Sequence, residues 1–371
     1  MRTAGVAAHE ALSAIVHEVR LLDRTARPRV GVEARRKPEL DIRRSERTIM
    51  GDELSRRRFI GLSSGMLAGM LMGCESDQGG DSDEAPIFLG YDEAALDSAY
   101  NQRVWAANAD DVIAQITARN AEARAVLGDP TRHAYGPSDS EGLDWYSPAG
   151  GSGPVHVHFY GGGWRLGDAR GNAFIAEQST LAGAHCVIPD YVKVGDTGGD
   201  LLPLAEQCRR AVAWVYANAE TFGGNRERII VSGHSAGGHL AAVVLATDWT
   251  AYGLPSDVVK KGLCVSGMYD LYPVSLSSRN EYVSFTPESI EALSPIRHVD
   301  LINAEVVVAV GTQESPEFQR QAREFAASLV SAERLARLLA AEGLNHFEIL
   351  LALGTPDGII REALADLIER A

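Results

Sequence analysis

Cysteine is scarce in this sequence, 4 in 371 residues, which excludes a disulfide-held scaffold. No CxxC pair and no His/Cys cluster at metal-ligand spacing occurs, so no metal is expected, and no other cofactor. Positive charge is short over most of the chain. Residues 1–73 carry 14 Lys and Arg against 9 Asp and Glu, which leaves 21 against 41 for residues 74–371 out of totals of 35 and 50. A body that acidic repels nucleic acid and anionic membrane surfaces, so neither is an expected partner. The remaining composition, 45% hydrophobic and 23% charged with 37 Gly and 15 Pro, excludes a disordered or collagen-like chain.

The basic N-terminal part reads as an address. Ser55-Arg56-Arg57-Arg58-Phe59-Ile60 opens an uncharged run of 15 residues from Phe59 to Gly73, followed by Cys74. A basic segment before a run too short to span a bilayer comfortably is a secretory signal. The competing reading, a buried amphipathic helix, is weakened by Gly61, Gly65, Gly69 and Gly73. SRRRFI resembles a twin-arginine export signal, and Leu71-Met72-Gly73-Cys74 resembles a bacterial lipobox. The resemblance implies export of the folded protein, cleavage before Cys74, and lipidation of that cysteine. Membrane contact would then run only through the lipid anchor, on the periplasmic or outer side of the cell. The polar, acidic residues 75–86 fit a tether that cannot bury apolar surface. Export signals begin near an initiator methionine, and Met50 would place the arginine pair accordingly. The expected organisation is therefore an upstream extension or mis-start at 1–49, an export signal at 50–73, a lipidated cysteine and tether at 74–89, and the main folded domain at 90–371. With Cys74 lipidated, the odd number left (Cys186, Cys208 and Cys264) cannot be fully paired, and their apolar settings read as buried free thiols. No feature fixes an oligomeric state.

Residues 87–371, about 285 of them, suit one α/β domain. Apolar spacing predicts helices over 92–107 and 109–126. Beyond them, strands Leu143–Tyr146, Val155–Tyr160, Cys186–Pro189, Ile229–Ser232, Gly262–Ser266 and Val306–Val310 alternate with helices near 172–183, 203–222, 237–247 and 316–331. Continuously apolar strands in strand–helix alternation give a mostly parallel central sheet with helices on both faces.

Gly233-His234-Ser235-Ala236-Gly237 matches G-x-S-x-G. The pattern alone is weak, and Gly61-Leu62-Ser63-Ser64-Gly65 matches it too, inside the signal. The Ser235 copy, however, follows the strand Ile229–Ser232 and opens a helix, the setting of a nucleophile elbow. An attacking serine needs donors for the developing oxyanion. The Ala236 N–H is one candidate. The glycine run Gly161-Gly162-Gly163-Trp164, directly after the strand ending at Tyr160, supplies others. Without a lysine or G-x-G-x-x-G spacing, that run does not read as a phosphate loop. Gly161 and Gly162 are assigned as donors, with Gly163 and Trp164 beside them as substrate-binding residues.

Ser, then acid, then His is the chain order for such an elbow. After Ser235 come His239, His298 and His346. His239 lies on the nucleophile's own helix and His298 at the wrong sheet edge. His346, in the polar break Gly343-Leu344-Asn345-His346-Phe347, is the expected base. Two carboxylates compete as its partner: Glu314, after Val306–Val310, and Asp270, after Gly262–Ser266. Either could merely cap a helix. Glu314 is preferred because its strand lies nearer the histidine loop.

At this level of detail residues 91–371 resemble the kynurenine formamidase (arylformamidase) branch of the α/β-hydrolase esterases. The likeness rests on Leu96-Asp97…Ala99-Tyr100-Asn101, Leu143-Asp144…Tyr146…Pro148, Gly161-Gly162-Gly163-Trp164, GHSAGGHL at 233–240, SGMYDL at 266–271, Ser294-Pro295, ESPEF at 314–318 and Asn345-His346-Phe347. The resemblance implies an α/β-hydrolase fold and makes Glu314, at the head of ESPEF, the acid. Tyr160 replaces the family's histidine before the glycines.

The expected activity is hydrolysis of a small carboxylic ester through an acyl-enzyme, with Ser235, His346 and Glu314 as the working residues. Cleavage of a formamide such as N-formylkynurenine is the alternative within the same chemistry. An inert hydrolase-fold binding protein is disfavoured, since binding alone needs no such set of residues.

Overall fold

Valines and alanines of the central strands divide between two cores. Ile229, Val231, Val306, Val308 and Val310 face one, and Ile230, Val307 and Ala309 face the other. Successive strand side chains point to opposite faces, so both faces must be covered. The computed structural model describes residues 85–371. The segment expected to be an export signal, and Cys74, lie outside the described residues. Eight strands run in chain order β1 Thr131–Ala134, β2 Gly142–Tyr146, β3 Gly153–Phe159, β4 His185–Pro189, β5 Gly224–His234, β6 Val259–Val265, β7 Glu305–Gly311 and β8 Leu335–Ala341. They form one sheet in the order β1-β2-β4-β3-β5-β6-β7-β8. β2 is antiparallel to β1 and β4, and the other neighbours are parallel.

The longer helices are α1 Glu93–Tyr100, α2 Ala109–Leu127, α3 Ala173–Leu181, α4 Leu202–Asn218, α5 Ala236–Leu245, α6 Pro316–Ser331, α7 Glu348–Leu353 and α8 Ile359–Glu369. Buried residues of α4, α5 and α6 join the first core and those of α2, α7 and α8 the second, while α3 divides, with Ala173 and Ala176 in the first and Phe174 and Ile175 in the second. This is the mostly parallel, doubly covered sheet expected from the sequence. Two details differ. The helix expected over 92–107 stops at Tyr100, because Asn101 leaves helical geometry (φ −99°, ψ 89°) and a 3₁₀ turn follows at Gln102–Trp105. The tether expected to run to residue 89 yields earlier to folded chain. Ile87 and Tyr91 share a 2.7 Å backbone bond, and the Phe88 ring meets Tyr272 edge-on.

The parallel strands deliver their carboxyl ends to one edge, where open α/β sheets place ligands. β3 ends opposite β5 (Phe159 beside Gly233), β5 opposite β6 (His234 beside Val265), and β7 opposite β8 (Gly311 beside Ala341). Ser235, Ser266, Glu314 and the glycine run therefore leave the sheet side by side. α1 is tied behind them. Tyr100 donates to Glu317 at 2.9 Å, and Gln102 donates to Ser315 at 2.9 Å, both at the start of α6. Cys186, Cys208 and Cys264 are free and buried, as expected, and burial pushes the Cys186 thiol up to about 12. Among the described residues no helix is long and apolar enough to cross a membrane.

Candidate active site

Ser235 sits between β5 and α5 with φ 57° and ψ −123°, a strained backbone for a residue with a side chain. The turn closes only because its flanks are bare: a Cβ on Gly233 would stand 2.0 Å from Gly237 O, and one on Gly237 2.0 Å from Phe159 O. The strain raises the serine above the sheet edge, where it meets residues brought from far along the chain. Ser235 Oγ lies 2.9 Å from His346 Nε2, and His346 Nδ1 lies 2.7 Å from Glu314 Oε2. An ionised carboxylate only accepts, so Nδ1 donates and Nε2 is left to accept from the serine hydroxyl. All three are nearly closed to solvent, at 7, 6 and 2% exposure, so their charge interactions are weakly screened.

Glu314 is fixed on its other side as well. Oε1 accepts from Ser266 Oγ at 2.6 Å and from Gly311 N–H at 2.7 Å. It does not cap α6. Ser315 does, accepting from Phe318 N–H. The rival Asp270 is a cap: it accepts from Tyr272 N–H, heads the short helix Leu271–Ser275, and pairs with Arg297 at 3.2 Å. Of the other histidines, His298 is tied to Glu291 O on the surface, and His239 is buried beneath the glycine run.

The amides of Gly161 and Gly162 donate to no protein group among the described residues. Ala236 N–H opens α5, where a helix leaves its first amides without partners. Gly162 has φ 116°, and a Cβ there would stand 2.5 Å from Leu166 O, so no other residue makes this turn. Gly161, Gly162, Gly163, Ser235 and His346 line one cavity of about 400 Å³. Trp164 corrects the expectation: it does not line the cavity. It is 1% exposed, turned down beneath the run, and its indole N–H donates to His239 Nδ1 at 3.2 Å. That bond gives His239 a structural role, with its Nε2 against Leu293 O at 2.8 Å. Burial lowers the His239 pKa to about 4, so the ring is neutral. At Tyr160 the ring stacks on Tyr191 at 4.5 Å, and the hydroxyl accepts from Lys193 at 2.6 Å.

Several residues of the site carried no separable signal in the sequence. Ser266 is one among many serines until the strands align. His234 packs its ring 4.5 Å from that of His346, and burial, reinforced by His346, holds its pKa well below the usual range. Beneath them, His156 and His158 share Ser232 Oγ at 2.6 and 2.8 Å. Burial keeps both neutral, His158 down to about 3. Alternation along β3 could have shown these two on one face.

A family model described as BD-FAE matches residues 143–329. The kynurenine formamidase of Danio rerio is 31% identical over 289 residues, 74% of this chain and 96% of that protein. Esterase LipQ of Mycobacterium tuberculosis is 26% identical over 266 residues, 63% of this chain and 60% of its own. Among solved structures, an esterase of Pyrobaculum calidifontis superposes with a TM-score of 0.55 at 21% identity, covering 72% of this chain and 94% of that one. That last likeness speaks for the fold alone. The sheet, the elbow and these relatives agree: the chain belongs to the α/β-hydrolase esterase family, as a hydrolase of ester or amide bonds.

Proposed function

We propose that the protein is a serine hydrolase that cleaves a small carboxylic ester through an acyl-enzyme. The observation carrying this reading is the unbroken chain Ser235 Oγ–His346–Glu314 at 2.9 and 2.7 Å. In it His346 Nε2 takes the proton as Ser235 Oγ bonds to the carbonyl carbon. Glu314 holds the imidazole in the tautomer that can accept and steadies the imidazolium that forms. The amides of Gly161, Gly162 and Ala236 receive the oxyanion. His346 then protonates the departing alcohol, and water attacks the acyl group with the same histidine as base. Gly163 lines the cavity beside the donors.

A second reading, cleavage of an N-formyl arylamine, is favoured by the length over which the Danio rerio formamidase aligns. Export argues for the ester, because N-formylkynurenine arises inside cells. Export itself, with lipidation at Cys74, belongs to the proposal and rests on the sequence motifs. A Cys74→Ser variant that still takes up labelled lipid in a bacterial host contradicts it. The main test sets 4-nitrophenyl esters of graded chain length beside N-formylkynurenine. Higher kcat/KM on a short ester supports the first reading, higher kcat/KM on the formamide supports the second, and inertness on all of them removes both.

A further inference from the structure

In a body with 21 basic against 41 acidic residues over 74–371, the cavity above Ser235 is lined by three arginines and no carboxylate. Arg103 is spoken for by Asp110 at 2.7 Å. Arg165 and Arg279 have no carboxylate partner among the described residues. They are ordered nonetheless. Arg279 Nη1 donates to Tyr282 OH at 2.8 Å, and Nη2 donates to Tyr100 O at 2.9 Å. The guanidinium of Arg165 stands over the Tyr282 ring, 3.8 Å from its centre. Arg279 Nη1 also stands 3.4 Å from where a Cβ would sit on Gly163, next to the oxyanion donors.

A guanidinium offers five N–H donors. Arg279 spends one on each Nη and buries Nε–H without a partner, which leaves one hydrogen on each Nη for a ligand. Neutral hydrogen-bond acceptors hold it in place without cancelling its charge. An arginine fixed in this way keeps its charge and two N–H donors for an anionic ligand.

We infer that the ester substrate carries a carboxylate in addition to its scissile bond, and that Arg279 receives it with Arg165 as the outer partner. The inference rests on the serine-hydrolase reading above and adds the chemical class of the substrate. A neutral substrate would leave Arg279, held by neutral acceptors and the Trp164 ring, without a counter-charge in a mostly apolar cavity. The carboxylate supplies that charge and sets the carbonyl over Ser235.

The test uses two pairs of substrates matched in shape. On the acyl side, the mono-4-nitrophenyl ester of glutaric acid is compared with that of glutaric acid monoamide. On the alcohol side, the acetyl ester of 3-hydroxybenzoate is compared with that of 3-hydroxybenzamide. The expected result is a kcat/KM ratio favouring the carboxylate by about 10- to 100-fold in at least one pair, the span of a hydrogen bond to a charged group. Arg279→Gln should bring that ratio toward one, Arg165→Gln should lower it less, and added salt should lower it in the wild type. Preference for the amide in both pairs overturns the inference, as does a ratio unmoved by either substitution. Should Arg279→Gln fail to fold, Arg165→Gln and the salt series decide, and a ratio that ignores both is contradictory. Cleavage of the neutral esters alone sinks this inference and leaves the serine hydrolase standing. No cleavage of any ester, with Ser235 unreactive, sinks both.

Discussion

Two neighbouring parallel strands each end in a carboxylate, and the structure treats them differently. After β6 comes Asp270, a side chain 28% exposed, which caps a five-residue helix and leans on Arg297. After β7 comes Glu314, 2% exposed, whose two oxygens are filled by Ser266, Gly311 and His346. What separates them is the residue that follows. Ser315 takes over the capping of α6, which frees Glu314 to fold back under the sheet edge. Asp270 has no such neighbour and spends itself on its own helix. Position after a strand thus offers a carboxylate to the site, and the local capping decides whether it arrives.

The comparison breaks most severely if neither carboxylate has anything to orient. Ser235→Ala should lower kcat by several orders of magnitude, with roughly 10³–10⁴-fold catalysis over water left by the oxyanion donors and binding. Steady-state turnover of a short ester, with unchanged circular dichroism, reads this out. Next comes the carboxylate itself. Glu314→Gln keeps the shape and removes the charge, and should cost about 10²–10⁴ in kcat with KM little altered. A nearly normal Glu314→Gln beside a dead Asp270→Asn reverses the assignment.

A smaller effect probes the ground beneath both strands. His158 and His239 are held neutral by burial, with pKa values down to about 3 and 4. Each is depressed below the unfolded value of about 6.5, so the unfolded chain binds more protons in acid. Their contribution is present above that value and is lost as pH falls from there toward 4 and then 3. The expected slope is about 1.4 kcal/mol per pH unit for each such histidine. Urea unfolding at pH 7, 6 and 5 should show it, and His158→Gln should flatten it. Equal stability at pH 7 and 5 would contradict the burial account. The smallest effect belongs to Asp270→Asn. Weakening that cap should cost on the order of 1 kcal/mol of stability and leave kcat within a few-fold.

Much of this arrangement was legible because it is local. The G-x-S-x-G elbow, the glycine run and the apolar strands each announce themselves within a few residues, and they set the fold and its functional edge. Less local features were missed for physical reasons. β8 reads LARLLAA, without the period-2 alternation that marks a strand in sequence, and it is recognised only where it pairs with β7 at the edge of the sheet. Trp164 follows the glycines and so reads in sequence as facing substrate, yet its φ of 63° turns it under the run toward His239. Arg165 and Arg279 lie far apart in the chain, and both touch Tyr282, one at its ring and the other at its hydroxyl. Glu314 and Asp270 could be ranked but not separated, since the discriminating fact is which neighbour caps the next helix.

The central claim is that Ser235 is a nucleophile activated through His346 by Glu314, and a fluorophosphonate probe tests it most directly. The account predicts one adduct per chain, located by peptide mass analysis on Ser235, with activity lost in proportion. It further predicts slow labelling of Glu314→Gln, near wild-type labelling of Asp270→Asn, and none of Ser235→Ala. Inactivation with the adduct on another residue, or a Glu314→Gln chain labelled as fast as wild type, would contradict it.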